Sequence, residues 1–171
     1  METQVSPSKI GFRYGIITAI VFIIYGLILQ LTGMAANQVL GYLSYLILAV
    51  MIYLAHNAFK SSGDGFMKFG QGLSIGMVIS AISGVLSGIF TFIYIKYVDD
   101  SVLKIAMDQA YDKLEQRGMS DDQIEQAMSM TEKFMTPAMI LVFTIIGTLF
   151  FGLLISLVVS AITKKDNPQP V

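Results

Sequence analysis

Residues 69–95, FGQGLSIGMVISAISGVLSGIFTFIYI, run for 27 positions without an Asp, Glu, Lys, Arg or His. A bilayer core of roughly 30 Å is crossed by about 20 helical residues, so the stretch predicts a membrane span. It predicts a helix, because lipid offers no partner to an unpaired backbone N–H or C=O. Inside it Gly72, Gly76, Ser80, Gly84 and Gly88 recur at every fourth position. Small residues at that spacing let helix backbones approach closely, and in lipid such packing replaces the hydrophobic drive for association.

Two more charge-free blocks lie on either side, Tyr14 to Ala55 and Phe134 to Thr163. The later one holds a single span, Pro137–Ile162, with a ladder of its own: Thr144, Thr148, Gly152, Ser156 and Ser160. A period of four drifts around a helix, so the two stripes suit a right-handed crossing and predict close pairing of spans three and four. The earlier block has 42 residues, enough for two spans, and Gln30 to Gln38 (QLTGMAANQ) breaks it. The spans are therefore Gly15–Leu31, Val39–Ala58, Phe69–Ile95 and Pro137–Ile162. A secretory signal competes for the first, since Lys9 and Arg13 precede an apolar run and Gly33-Met34-Ala35 has small residues. The run is longer than a typical signal core and another span follows at once, which favours retention. The alternating ten-residue segments of a membrane barrel are absent.

Composition agrees. Hydrophobic residues make up 54% of the 171 and charged residues 13%, about half the share usual in a soluble domain. A net charge of -1 leaves no basic footprint for nucleic acid. With no cysteine, disulfides, thiolate metal sites and a cysteine nucleophile are excluded. The first eight residues and Asn167–Val171 read as frayed ends.

Lys and Arg set the orientation. Lys9 and Arg13 precede span one, Lys60 and Lys68 separate spans two and three, and Lys164 and Lys165 follow span four. Four spans bring these three places to one side, the cytoplasm. The segment after span three holds five basic residues but nine of the chain's twelve acidic ones. Both termini are expected inside and the acidic segment 99–135 outside, with Lys96 alone opposing.

That segment reads as two amphipathic helices. Leu103, Met107, Ala110, Tyr111 and Leu114 share one face of the first, opposite Lys104, Asp108, Asp112 and Glu115. Gly118 is a helix stop. Ser120 and Gln123 form a capping box for the second helix, with Asp121 and Asp122 at its positive dipole end. Its apolar stripe is Ile124, Ala127, Met128, Thr131 and Met135. Thr136-Pro137 then restarts a helix as N-cap and first position. The two stripes can cover each other, lie on lipid headgroups, or meet a partner.

Candidates for chemistry are few. No ionisable residue sits at mid-membrane, where transporters bind ions or relay protons. Gln30 and Gln71 lie near span ends, and Tyr25 is the one moderately placed polar aromatic of span one. His56, the sole histidine, reads as an interfacial polar residue beside Asn57, since no partner lies near it in sequence. Asp99-Asp100 and Asp121-Asp122 lack the spaced ligands and glycine of a calcium loop and read as a span exit and a helix start. Tyr42, Tyr45, Tyr94 and Tyr97 sit where interface anchors do.

Four stretches in this order resemble a known family. They are Gly65-Phe66-Met67-Lys68-Phe69-Gly70-Gln71-Gly72, Tyr94-Ile95-Lys96-Tyr97-Val98-Asp99, Arg117-Gly118-Met119-Ser120-Asp121-Asp122-Gln123-Ile124-Glu125, and Lys164-Lys165. Over nearly its whole length the chain is similar to the bacterial four-span family catalogued as domain of unknown function 4199, with Asp100 where that family often has proline. The resemblance implies a bacterial inner-membrane protein and no activity, ligand or catalytic residue.

The sequence thus predicts an all-α, integral membrane four-helix bundle, a single membrane domain over 1–171, with an extramembrane amphipathic hairpin between spans three and four. Its expected function is structural or partner-binding and non-enzymatic, with no catalytic residue, no metal and no cofactor. Its expected partners are the lipid bilayer and a second copy or another membrane protein, and no nucleic acid. The alternative is a subunit of an oligomeric pore or transporter for small solutes.

Overall fold

A computed structural model of the chain describes residues 6–35 and 37–167. Six helices follow in order: α1 (Pro7–Leu31), α2 (Gln38–Ser62), α3 (Phe69–Tyr97), α4 (Ser101–Gln116), α5 (Asp121–Phe134) and α6 (Pro137–Thr163). No strand occurs among the described residues, only a one-pair bridge between Met67 and Lys165. Four of the helices (α1, α2, α3 and α6) are long and apolar enough to cross a membrane. The reading of residues 1–8 as a frayed end is corrected at Pro7 and Ser8. Proline supplies a pre-set φ and no N–H, which suits the first helical position, and α1 starts there. Residues 1–5 and 168–171 lie outside the described residues.

The helix ends follow local chemistry. Gly33, at φ 70°, closes α1 in a double-bonded turn: its N–H donates to the Gln30 carbonyl and that of Met34 to the Leu29 carbonyl. Gly118, at φ 72°, does the same for α4, with Met119 N–H reaching the Leu114 carbonyl. Asn37 starts α2 by accepting the Val39 and Leu40 N–H groups. Thr136 caps α6 through the Met139 N–H, with Pro137 next. At α5 the Gln123 side chain accepts the Ser120 N–H at 3.1 Å, and at α3 Gln71 accepts the Lys68 N–H at 2.8 Å.

Helix α3 is the axis of the bundle. It packs most extensively on α6 and α1, while α2 closes the ring between α1 and α6 and touches α3 across it. Burial is lopsided along the helices. The core of Ile10, Leu48, Ile52, Phe59, Ile75 and Ile79 collects where α1 begins and α6 ends. In α6 the usual polarity is inverted: Gly152, Ser156, Ser160 and Thr163 are its buried residues, whereas Phe150, Val158 and Ile162 are exposed. Lipid is the solvent that makes such an arrangement stable, since it accepts large apolar side chains and rewards close packing of small ones. The hairpin helices α4 and α5 pack on each other, and α4 touches the end of α3.

Candidate functional site

The two ladders lie against each other in antiparallel register. A Cβ placed on Gly72 would stand 2.8 Å from Ser160 Oγ. On Gly76 it would strike Ser156, with the hydroxyl nearest and Ser156 Cβ at 2.7 Å. Further along the seam the roles reverse, and a Cβ on Gly152 would stand 2.5 Å from Ser80 Cβ. Gly84 faces Thr148, 3.0 Å from its Cβ, and Gly88 faces Leu141 Cδ1 at 2.9 Å rather than Thr144. Each turn as far as Gly84 therefore sets a glycine against a serine or threonine, and at Gly88 the partner becomes Leu141. Ser156 and Ser160 hydroxyls are buried without a hydrogen-bond partner. What faces each is the glycine Cα–H, a weak donor that recurs at close helix crossings.

A second seam escaped the sequence reading. Gly11 and Gly15 of α1 meet Val78 and Ile82 of α3, each prospective Cβ 2.8 Å from the partner's Cβ. Ala19, four residues further, is 1% exposed. The spacing Gly11, Gly15, Ala19 is the same small-residue signal as in α3. Lys9 and Arg13 interrupt it, and a span begun at Gly15 cuts it in half.

His56 has more around it than the sequence reading allowed. It is fully buried between helices and bonded on both ring nitrogens. Its Nε2 donates to the Gly72 carbonyl at 2.9 Å, and its Nδ1 lies 2.7 Å from Thr163 Oγ1. With Nε2 donating to a carbonyl, Nδ1 of the neutral ring accepts a hydrogen bond from the Thr163 hydroxyl, whose other acceptor within reach is the Val159 carbonyl at 2.7 Å. Lys60 Nζ adds a bond to the Thr163 carbonyl at 3.2 Å. Beside these, Met67 and Lys165 exchange two backbone bonds of 2.9 Å, and Lys165 Nζ sits 5.2 Å above the Phe66 ring. The result is a clasp joining α2, α3 and α6 at one end. Its partners are 107 residues apart in the chain, so only the fold reveals them. Among the described residues no group of three His, Cys, Asp or Glu is placed to hold a metal ion.

The opposite end is open. A cavity of about 330 Å³ lies among all four long helices, roughly three to sixteen ångströms inside their hairpin-side ends at 1.5 Å per residue. Phe22 and Tyr25 of α1, Ser44 and Tyr45 of α2, Thr91 of α3 and Thr144 of α6 line it, and no lining residue is charged. Tyr25 bridges two walls by donating to the Leu40 carbonyl at 2.7 Å.

Outside the bundle the hairpin stripes cover one another in part. Ile124 is buried and Leu103, Met107, Ala127 and Met128 are half-buried, whereas Tyr111, Met130 and Phe134 are exposed. The acidic pair at the exit of α3 has local work. The Ser101 N–H and hydroxyl both donate to Asp99 at 2.9 Å and hold its carboxyl below the usual carboxylate range. Asp100 pairs with Lys104 one turn on at 2.9 Å.

Three of the stretches that carry the family resemblance have a place in this frame, two at the clasp and one at the hairpin. Phe66 and Met67 meet Lys165 and Gly72 meets His56 at the clasp, and Gly118 with Gln123 shapes the hairpin turn. No curated protein and no solved structure matches the chain. The family model for a protein of unknown function, DUF4199, matches residues 10–165, from the α1 seam to the last residue of the clasp, and the chain is a multi-pass membrane member of that family.

Proposed function

We propose that the protein is a non-enzymatic component of the bacterial inner membrane whose role is to bind a partner, with both termini in the cytoplasm and the α4–α5 hairpin outside. The orientation rests on Lys9, Arg13, Lys60, Lys68, Lys164 and Lys165 sharing one end of the bundle. The observation that carries the binding role is the uncovered apolar surface of the hairpin, where Tyr111 is 45% and Met130 59% exposed. The same hairpin is acidic. An anionic lipid surface repels such a segment, so a protein face that is basic and partly apolar is the better complement. Photo-crosslinking side chains placed at Tyr111 and Met130 in native membranes test this. A discrete protein adduct that disappears when Asp108, Asp112 and Glu115 are changed to Lys supports it. Adducts to lipid alone refute it.

A second reading, a subunit of an oligomeric pore or transporter for small solutes, draws on one observation, the uncharged hydroxyls of the cavity at the hairpin end. Against it, the α3–α6 seam is filled by side chains along the ladder and the clasp closes the far end. A single copy therefore offers no through path. Copy number in detergent and solute flux into reconstituted vesicles separate the two: a monomer without flux leaves the partner-binding reading, and an oligomer with flux replaces it.

A further inference from the structure

Glycine serves two opposite purposes in this bundle. Along the seams a Cβ would collide, as at Gly76 and Gly152. At the cavity, Gly26 of α1, Gly41 of α2 and Gly147 of α6 all line the wall, and a Cβ on any of them would meet nothing within 4 Å. Close approach does not require these three glycines. Their common consequence is room, contributed by three separate helices around one space.

The wall has two characters. Phe22, Tyr45 and Phe143 provide ring surface. Ser44, Thr91 and Thr144 provide hydroxyls that bond to no group among the described residues. By contrast, Thr18 and Thr148 of the long helices donate to the carbonyl one turn back, and Thr163 lies within bonding distance of His56 and the Val159 carbonyl. The cavity's 330 Å³ lies at the lower end of the range of small-molecule pockets, about 300–1,000 Å³. Filled with water alone it would take about eleven molecules at roughly 30 Å³ each, every one wanting about three hydrogen bonds. An aromatic wall with three free hydroxyls supplies few of these.

We propose that this cavity is a binding site for an uncharged amphiphile, a compact apolar or aromatic body carrying a carbonyl group. The absence of charged lining groups selects against ions and zwitterionic headgroups, because an unpaired charge is costly at this depth. The three free hydroxyls have protons to give, which a carbonyl oxygen accepts. The rings pack the apolar part, and such a molecule arrives from the bilayer itself. The site is independent of the partner-binding hairpin, and either can fail without the other.

Benzophenone is a suitable probe: uncharged, aromatic, with one carbonyl, and able to label its site on irradiation. Its isostere without the carbonyl is diphenylmethane. With the full-length protein in lipid nanodiscs, saturable labelling confined to 22–29, 41–45, 87–91 and 143–148 is the expected result. Gly147→Leu should abolish it without lowering the melting temperature, since the added side chain enters open space. Gly70→Leu, which fills an equally open glycine away from the cavity, should leave it unchanged. Thr91→Val with Thr144→Val keeps the shape and removes two donors, so benzophenone should bind about thirtyfold more weakly. Diphenylmethane competition should not change in that variant, and this pair carries the test if Gly147→Leu fails to fold. Non-saturable labelling, labels spread over the lipid-facing side chains, or labelling untouched by Gly147→Leu overturns the site. Diphenylmethane competing as well as benzophenone itself overturns the carbonyl specificity.

Discussion

Exchanging the members of one seam pair tests whether the α3–α6 register holds the bundle together. At Gly76 an added methyl meets Ser156, its Cβ at 2.7 Å and its hydroxyl nearer still, with Ile52 Cδ1 at 3.5 Å closing the other side. Neither neighbour can retreat: Ser156 and Ile52 are fully buried. Overpacking of this kind costs about 1–3 kcal/mol. Against that, replacing glycine by alanine inside a helix gains up to about 1 kcal/mol. Gly76→Ala should therefore be destabilising on balance, and Gly76→Ser more so.

The reciprocal variant separates seam packing from any other effect of the substitution. Gly76→Ser combined with Ser156→Gly moves the hydroxymethyl group from α6 to α3 and keeps the volume between the helices. The arrangement it creates is already present one turn further along, where Ser80 of α3 faces Gly152 of α6. The double variant should recover most of the loss, a coupling energy of about 1–3 kcal/mol, which apparent melting temperature in a mild detergent will read. Gly84→Ala, whose Cβ would stand 3.0 Å from Thr148 Cβ, should be milder than Gly76→Ala. Gly26→Ala, with open space around it, should not destabilise. Equal melting of the single and double variants, or a Gly26→Ala as harmful as Gly76→Ala, would refute the register and leave the ladder without a structural explanation.

Removing His56 with His56→Ala should cost about 2–4 kcal/mol through lost bonds and a cavity. Thr163→Val should cost about 1 kcal/mol, and the double variant less than the sum, by thermal unfolding in detergent, because the two share a bond. The folded Asp99 is more acidic than the unfolded one, so its contribution is complete above the unfolded value, about 3.9, and is lost as pH falls through the lower folded value. Amide exchange at Ser101, corrected for intrinsic rates, should rise only below about pH 4, and Asp99→Asn should remove that dependence. Replacing Gln123 with Ala frees the Ser120 N–H and should speed exchange there while leaving exchange in α4 unchanged.

The parts of the fold legible in sequence are those written in contiguous residues. Charge-free blocks give the four long helices, because a hydrocarbon core excludes charge from a whole stretch at once. Gly118, Ser120 and Gln123 give the hairpin turn, because caps act over a single turn. The ladders of α3 and α6 could be read singly, and their antiparallel register follows from one further constraint, that each glycine needs a larger small residue opposite. What could not be read is whatever depends on which helix lies beside which. His56 looks solitary because Thr163 is a lifetime of chain away, and a histidine near a span end is ordinarily a surface residue. Gly26, Gly41 and Gly147 carry no periodicity that would group them, since each comes from a different helix.

The asymmetry between the two ends of the bundle joins these observations into one physical argument. Transmembrane helices held only by dispersion slide and tilt easily, so a cavity at one end persists only if the helices are fixed at the other. The seams that Gly11 and Gly15 of α1 make against α3, and Gly72 and Gly76 of α3 against α6, fix them at the charged end. The His56–Thr163 bond and the Met67–Lys165 pair add directional ties there that dispersion cannot supply. With that end clasped, the cavity at the other end is a property of the fold rather than slack in it. It follows that damage to the clasp should be felt at the cavity. His56→Ala should weaken saturable benzophenone labelling at 143–148, although the imidazole lies at the far end of the bundle, while Gln123→Ala, which loosens only the hairpin, should not. Labelling that survives loss of His56 unchanged would show that the open end is shaped by its own side chains, and the clasp would then be a stabilising device alone.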